Sequence, residues 1–359
     1  MVRLSSMGDI LHALPAASAL RATFPAARLD WLVAEKWQPL VAAFAGLDTV
    51  IPLRRFSWHH VRKVTSLLRA SRYTCAVDFQ GLYKSALLAR LSGAPRRVGF
   101  GAPAIRERGA VMFYTEQVVP AAKHVVDQNL ALAAHLGARP PAHLPARLPA
   151  RLPAQLHAQL AAGDAATMFP LRIPPQAESY ASAALSASGL TDYFVLSPGG
   201  GWKSKCWPAE RYGQLHRSLA KRLGYRGVVS FGPGERGLAE AVRLAAGEPQ
   251  PLLLEMDVLQ LAALLRHAKI FIGADSGPLH LAGAVGAPVV GIYGPTDPAR
   301  NGPYFPSDIA VRNATPAQTT HHRGNTISPA MLSISVEQVE EAVIQRLVVG
   351  RLALASKPR

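Results

Sequence analysis

Two polar loops, far apart in the chain, constrain this sequence more than any other feature. The first is Ser5-Ser6-Met7-Gly8-Asp9, running into Ile10-Leu11-His12-Ala13-Leu14-Pro15. The second is Gly273-Ala274-Asp275-Ser276-Gly277-Pro278-Leu279-His280, with Gly294-Pro295-Thr296-Asp297-Pro298 behind it. Each puts polar residues where an apolar strand gives way to a helix, the edge at which open α/β sheets bind ligands. Two such edges from two halves of one chain predict two domains with a cleft between them and one substrate on each side.

Periodicity agrees. Short apolar runs at 29–33, 50–53, 75–79 and 96–99 read as strands, with helical spacing over 82–91. After about residue 174 the pattern restarts, with strands at 193–196, 227–231, 270–274 and 289–293. Between them, 178–188, 208–223, 259–267 and 279–285 read as helices, and 336–348 as a last one. Alternation of this kind predicts α/β domains with largely parallel sheets. The 359 residues are comfortable for two cores. The expected division is an N-terminal domain over 1–173, a C-terminal domain over 174–335, and a helix and tail over 336–359. Only Val2, Arg3 and Leu4 precede the first loop, where a strand of about five residues is normal. The strand beneath that loop is therefore expected to be short or clipped. Residues 139–156 echo a four-residue Pro-Ala unit, which cannot be a regular helix. An extended linker without chemistry is expected there.

Lys and Arg number 39 against 23 Asp and Glu, a net charge of +16. Such a balance points to an anionic partner: nucleic acid, an anionic membrane surface or a phosphorylated substrate. A general arginine bias is the plain alternative. Nucleic acid is disfavoured, because the chain has no basic recognition helix and no interleaved aromatics. The two cysteines, Cys75 and Cys206, fall in no CxxC or Cys/His cluster. No metal site or disulfide is expected, which suits a reducing cytoplasm. No signal peptide pattern is visible, and no apolar run reaches the roughly 18 residues of a membrane span. Any membrane contact is expected to be peripheral.

The residues that carry chemistry lie at strand ends. Gly199-Gly200-Gly201 lets backbone N–H groups approach an anion, and Lys205 follows with Trp202 and Trp207 nearby. A plain turn is the alternative, and no Walker A pattern is present. Asp275 and Ser276 precede a helix whose N-terminus attracts phosphate. Asp275 either caps that helix or accepts from sugar hydroxyls. His280, one turn in, is either structural or a donor to a diphosphate. No complete GxGxxG occurs in this loop, so a nicotinamide cofactor is not expected. Asp9 is either an N-cap or a general base, with Ser5 and Ser6 beside it. Asp78, Gln80 and Lys84 form a second polar cluster. Arg54, Arg55, Arg62 and Lys63 add positive charge to the same half.

Taken in order, Ser5 to Pro15, Asp78-Phe79-Gln80-Gly81-Leu82-Tyr83-Lys84-Ser85, Lys205-Cys206-Trp207-Pro208, Asp275-Ser276-Gly277 with His280, and Gly294 to Pro298 resemble the lipopolysaccharide heptosyltransferases of glycosyltransferase family 9. The Ser-Ser-Met-Gly-Asp form is most similar to the branch that adds the first heptose to the Kdo region of the inner core. The resemblance implies a GT-B fold, two Rossmann-like doubly wound domains facing a central cleft. It implies an inverting transfer from ADP-L-glycero-D-manno-heptose, with no metal and no other cofactor. By motif position Asp9 matches the catalytic base and Lys205 the lysine that stabilises the diphosphate. Gly199, Gly200, Gly201, Asp275, Ser276, Gly277 and His280 fall in the donor site, and Glu235 and Met256 near the ribose and adenine positions. Gly200 and Gly201 stand where family members often carry threonines, which leaves only backbone donors. The expected acceptor contacts are Ser5, Ser6, Gly8, His12, Arg54, Arg55, Arg62, Lys63, Asp78, Gln80 and Lys84. The expected acceptor is of the Kdo-lipid A type, met by a monomer on the cytoplasmic face of the inner membrane. A family member with another sugar or acceptor, and a non-catalytic sugar-nucleotide binder, are the other readings.

Overall fold

The computed structural model describes residues 1–139, 165, 167–320 and 323–355. The expected Pro/Ala linker, apart from Arg139, lies outside the described residues. Two compact units divide the chain: Met1–Ala142 with Thr167–Arg172, and His143–Ala166 with Ile173–Arg359. The last helix, Val336–Ala355, falls within the second unit and gives Val339 and Val343 to its core.

In the first unit, β1 (Asp30–Ala34) pairs with β2 (Thr49–Leu53), and β3 (Cys75–Asp78) with β4 (Arg96–Phe100), which pairs with β5 (Glu116–Val118). All pairings are parallel. The strand expected to be deficient is in place. Val2 bridges both Leu32 and Asp78. Val2 N–H donates to Val77 O at 2.8 Å and Leu32 N–H to Met1 O at 2.9 Å. Met1–Leu4 therefore joins the two halves of the sheet, with backbone hydrogen bonds on both sides. Counting this segment first, the order across the sheet is third, second, first, fourth, fifth, sixth.

The second unit repeats that order. Its six parallel strands are β6 (Tyr193–Ser197), β7 (Arg226–Phe231), β8 (Leu252–Glu255), β9 (Ile270–Ala274), β10 (Val289–Ile292) and β11 (Ile309–Val311), arranged β11-β10-β9-β6-β7-β8. Every residue of β6, β9 and β10 is buried, as expected for strands covered on both faces. Trp207 and Tyr212 close one side, Trp207 Nε1–H donating to Ile334 O at 3.0 Å.

This order is that of the dinucleotide-binding fold, and its ligand crevice opens where the strand order reverses. In the first unit the reversal lies between Met1–Leu4 and β3. In the second it lies between β6 and β9. The polar loops of the sequence sit at those two points.

Candidate active site

In the first unit Leu4 leads into Ser5, and Ser6 caps the Met7–Thr23 helix. Asp9 is not the N-cap. It is the third helical residue, and its Oδ2 accepts from Ser6 N–H at 3.0 Å and from the Ser6 hydroxyl at 2.8 Å, the return arm of a capping box. Its Oδ1 lies 2.7 Å from Arg3 Nη2, while the side chain keeps 39% of its surface exposed. Burial pushes this carboxyl up, but Arg3, the Ser6 N–H, His12 and the Ser6 hydroxyl outweigh it and hold it well below the usual carboxylate range. Arg3 is itself buried and also donates to Phe79 O. The residue that keeps Asp9 ionised is thus part of the strand beneath it.

Across the reversal, Asp78 corrects the expectation that it touches an acceptor. It is fully buried, and its carboxylate accepts from Gln80 N–H, Gly81 N–H, the Ser85 hydroxyl and the Tyr114 hydroxyl. Burial raises its pKa, against the pull of those donors. Asp78 shapes the loop from below, and Gln80 ties that loop to the first by accepting from Leu4 N–H at 2.7 Å. Gly8 and His12 are buried as well, His12 giving its carbonyl to Asn129 at 2.9 Å. Ser6, Lys84, Arg54, Arg55, Arg62 and Lys63 are exposed, and Ser5 and Gln80 partly so.

In the second unit the loops after β6 and β9 converge. Lys205 Nζ lies 2.5 Å from Asp275 Oδ2. Asp275 Oδ1 accepts from Asn301 Nδ2 at 2.9 Å and lies 3.4 Å from His280 Nε2. Burial disfavours the Asp275 charge, yet His280 and Lys205 more than offset it and hold the carboxyl well below its usual range. Asp275 therefore stays anionic inside a ring of donors. Lys205 also lies 4.2 Å above the Trp202 ring, and Arg323 is 5.4 Å from the same ring. Ser276 precedes the Gly277–Ala284 helix, and its hydroxyl is buried with no hydrogen-bond partner. An orphaned hydroxyl at a helix N-terminus is satisfied by an anionic oxygen.

Glu235, in the turn after β7 and at the N-cap of the Arg236–Ala246 helix, accepts from Gly232 N–H at 2.9 Å. It packs against Gly199 so closely that a Cβ there would come within 2.4 Å of Oε1. Met256, after β8, is buried, its N–H donating to Phe231 O at 3.1 Å. No group of three or more His, Cys, Asp and Glu suited to a metal ion occurs among the described residues.

The family model of glycosyltransferase family 9 (heptosyltransferase) matches residues 61–331. The chain belongs to glycosyltransferase family 9. Lipopolysaccharide heptosyltransferase 1 of Pseudomonas aeruginosa is 29% identical over 350 residues, covering 92% of this chain and 87% of that protein. The solved structure of E. coli heptosyltransferase WaaC with ADP covers 98% of both chains at 25% identity, with a TM-score of 0.69. That of E. coli ADP-heptose lps heptosyltransferase II covers 97% of both at 22% identity and a TM-score of 0.74. The fold is GT-B, with two Rossmann-like units, and the protein is a glycosyltransferase.

Three residues near the reversals of this glycosyltransferase escaped sequence reasoning. Arg3 is hidden in a segment too short to show a pattern. Asn301 ends the four-residue Pro298–Asn301 helix, and only tertiary contact joins it to Asp275. Arg323 reaches Trp202 because Ser204 and Gly324 exchange hydrogen bonds, Ser204 N–H to Gly324 O at 3.2 Å and Gly324 N–H to Ser204 Oγ at 3.4 Å. The Gly294-Pro295-Thr296-Asp297-Pro298 motif was the available signal for Asn301, since Asp297 caps that helix through Ala299 N–H at 2.9 Å.

Proposed function

We propose that this glycosyltransferase moves L-glycero-D-manno-heptose from ADP-heptose to a Kdo hydroxyl of the lipopolysaccharide inner core, with inversion and without a metal. The observation that carries the reading is the buried Lys205–Asp275 pair beside the unpartnered Ser276 hydroxyl. A cation and a helix N-terminus at the switch point of a Rossmann-like sheet suit a departing diphosphate. The likeness to a lipopolysaccharide heptosyltransferase 1, and to a heptosyltransferase solved with ADP, supports the same donor and acceptor.

In this mechanism the acceptor oxygen attacks the anomeric carbon while its proton passes to Asp9. The bond from that carbon to the phosphate oxygen breaks through an oxocarbenium-like state, and ADP leaves with the electron pair. Arg3 keeps Asp9 ionised and ready to take the proton. Lys205 meets the charge developing on the diphosphate. Asp275, being anionic, holds Lys205 in place rather than touching phosphate, and His280 and Asn301 fix its orientation. Gly199, Gly200 and Gly201 contribute N–H groups, and Ser276 the hydroxyl that the two glycines lack. Glu235 and Met256 flank the nucleoside. Ser6, Gln80, Lys84 and the exposed arginines receive the acceptor. The acceptor is lipid-linked, which puts the enzyme at the cytoplasmic face of a membrane.

The test is transfer by the purified protein from ADP-heptose to Kdo-lipid A, followed by mass spectrometry of the product. One added heptose, lost in Asp9→Ala, is the expected result. Transfer only to an acceptor already carrying a heptose overturns the choice of acceptor. Full activity in Asp9→Ala overturns the assigned base.

A further inference from the structure

All strands of the amino-terminal sheet run the same way, so their C-terminal ends share one edge, the edge of the Ser5–Asp9 loop. On the connections leaving that edge, Phe56, Trp58, Tyr83 and Val119 are 50%, 81%, 50% and 58% exposed. Phe56 and Trp58 follow β2, Tyr83 follows β3, and Val119 follows β5. Apolar side chains scattered singly on a surface need no explanation, but a set gathered on one rim does.

Cations accompany them. Arg55 adjoins Phe56, Arg62 lies one turn beyond Trp58, and Lys84 adjoins Tyr83. Arg106 follows Ile105, which packs on Gly81. Residues 49–77 contain six Lys and Arg and no Asp or Glu. The acids at this edge are already engaged. Glu35 lies 3.6 Å from Arg54, Glu107 accepts from Tyr83 N–H at 2.6 Å, and Asp9 lies 2.7 Å from Arg3. The Trp58–Ala70 helix buries Val61, Val64 and Leu68 in the unit and turns Trp58, Arg62 and Lys63 outward.

We propose that this edge of the amino-terminal unit docks on an anionic bilayer, with Trp58 and Phe56 seated at headgroup level and Arg55, Arg62 and Arg106 against lipid phosphate. Exposed indole rings favour the membrane–water interface, and basic residues beside apolar ones bind anionic leaflets. The proposal deepens the reading of a lipid-linked acceptor, since it brings the Asp9 edge to the surface from which that acceptor is drawn.

The full chain is sedimented with vesicles of phosphatidylcholine mixed with phosphatidylglycerol, and with phosphatidylcholine alone. Neither contains an acceptor sugar, so the outcome stands apart from the heptosyl-transfer reading. Binding to the mixed vesicles, weakening by about fivefold for each neutralised cation, is expected. The F56S/W58S variant is expected to bind roughly tenfold more weakly, and W58S alone, whose ring is 81% exposed, to weaken binding with an unchanged melting temperature. Equal binding to the two vesicle types overturns the proposal, as does wild-type binding by F56S/W58S. Self-association abolished by F56S/W58S also overturns it, because the rim then serves a second copy of the chain.

Discussion

Lys205 Nζ stands 2.5 Å from Asp275 Oδ2 with both side chains nearly enclosed, at 12% and 4% exposure. Removing one member of such a pair leaves a buried charge uncompensated, at a cost of about 3 to 5 kcal/mol. Lys205→Met is therefore expected to lower stability by about 3 kcal/mol, since His280 and Asn301 still face Asp275. Adding Asp275→Asn removes the stranded charge, and the double variant is expected to recover most of the stability while staying inactive. Denaturant unfolding and the transfer assay read the two effects separately. Recovery of turnover along with stability would show that the lysine matters only as a partner for Asp275.

Asp9 and Arg3 make a second pair whose effect appears in the pH–rate profile. Asp9→Asn is expected to reduce kcat by about 10²- to 10⁴-fold with little change in KM, the usual worth of a general base. In the wild type the carboxyl lies well below its ordinary range. It stays ionised as pH falls, so no acid limb from Asp9 is expected over roughly pH 5 to 8. Arg3→Met removes the strongest downward influence and leaves the burial that acts upward. Its acid limb is expected to move up in pH, with activity lost as pH falls. Arg3→Lys retains the charge and is expected to retain the flat profile, which separates this effect from loss of the Phe79 contact. Identical profiles for all three proteins would remove Arg3 from the mechanism.

Much of this architecture was legible because motif and strand coincide. The apolar runs ending in Asp78 and Ala274 announce both a strand and the loop at its end, whereas the direct pairing of Lys205 with Asp275 is a tertiary contact that neither loop announces. The rest is hidden for physical reasons. β5 is only Glu116-Gln117-Val118 at a sheet edge, where three residues with two polar side chains make no pattern. Met1–Leu4 looks deficient by length, yet its position between β1 and β3 satisfies its backbone from both sides. Asp78 looks like a ligand contact in sequence because a carboxylate at a strand end is ambiguous. Only the four donors around it reveal a loop support.

The glycine run is not uniform, and alanine substitutions are expected to tell its members apart. A Cβ at Gly199 would lie 2.4 Å from Glu235 Oε1, whereas one at Gly201 meets nothing within 4 Å. Gly199→Ala must displace the Glu235 carboxylate and loosen its bond from Gly232 N–H. A charge-assisted bond of that kind contributes about 1.5 to 3 kcal/mol. If Glu235 holds the donor's ribose, calorimetric titration with ADP is expected to show at least tenfold weaker binding for Gly199→Ala and no change for Gly201→Ala. Equal effects at the two positions would mean that backbone freedom, not room for Glu235, is what the run supplies.

His216, on the Ala209–Leu223 helix, gives the second unit an acid sensitivity independent of catalysis. Its ring is fully buried against Phe194, and Nε2 accepts Gly227 N–H at 3.1 Å, a role only the neutral form plays. Burial, aided by Arg226, pushes the imidazole down to about 4. An unfolded histidine titrates near 6.5. Between those values the unfolded chain holds the proton and the folded one does not, so stability rises with pH across that window. The contribution is complete above about pH 6.5 and is lost as pH falls to about 4, a span worth about 3 kcal/mol. His216→Gln keeps an acceptor for Gly227 without a titrating ring. Urea unfolding midpoints at mildly acid and neutral pH are expected to differ by less in this variant than in the wild type. An unchanged difference would assign the acid sensitivity to other groups.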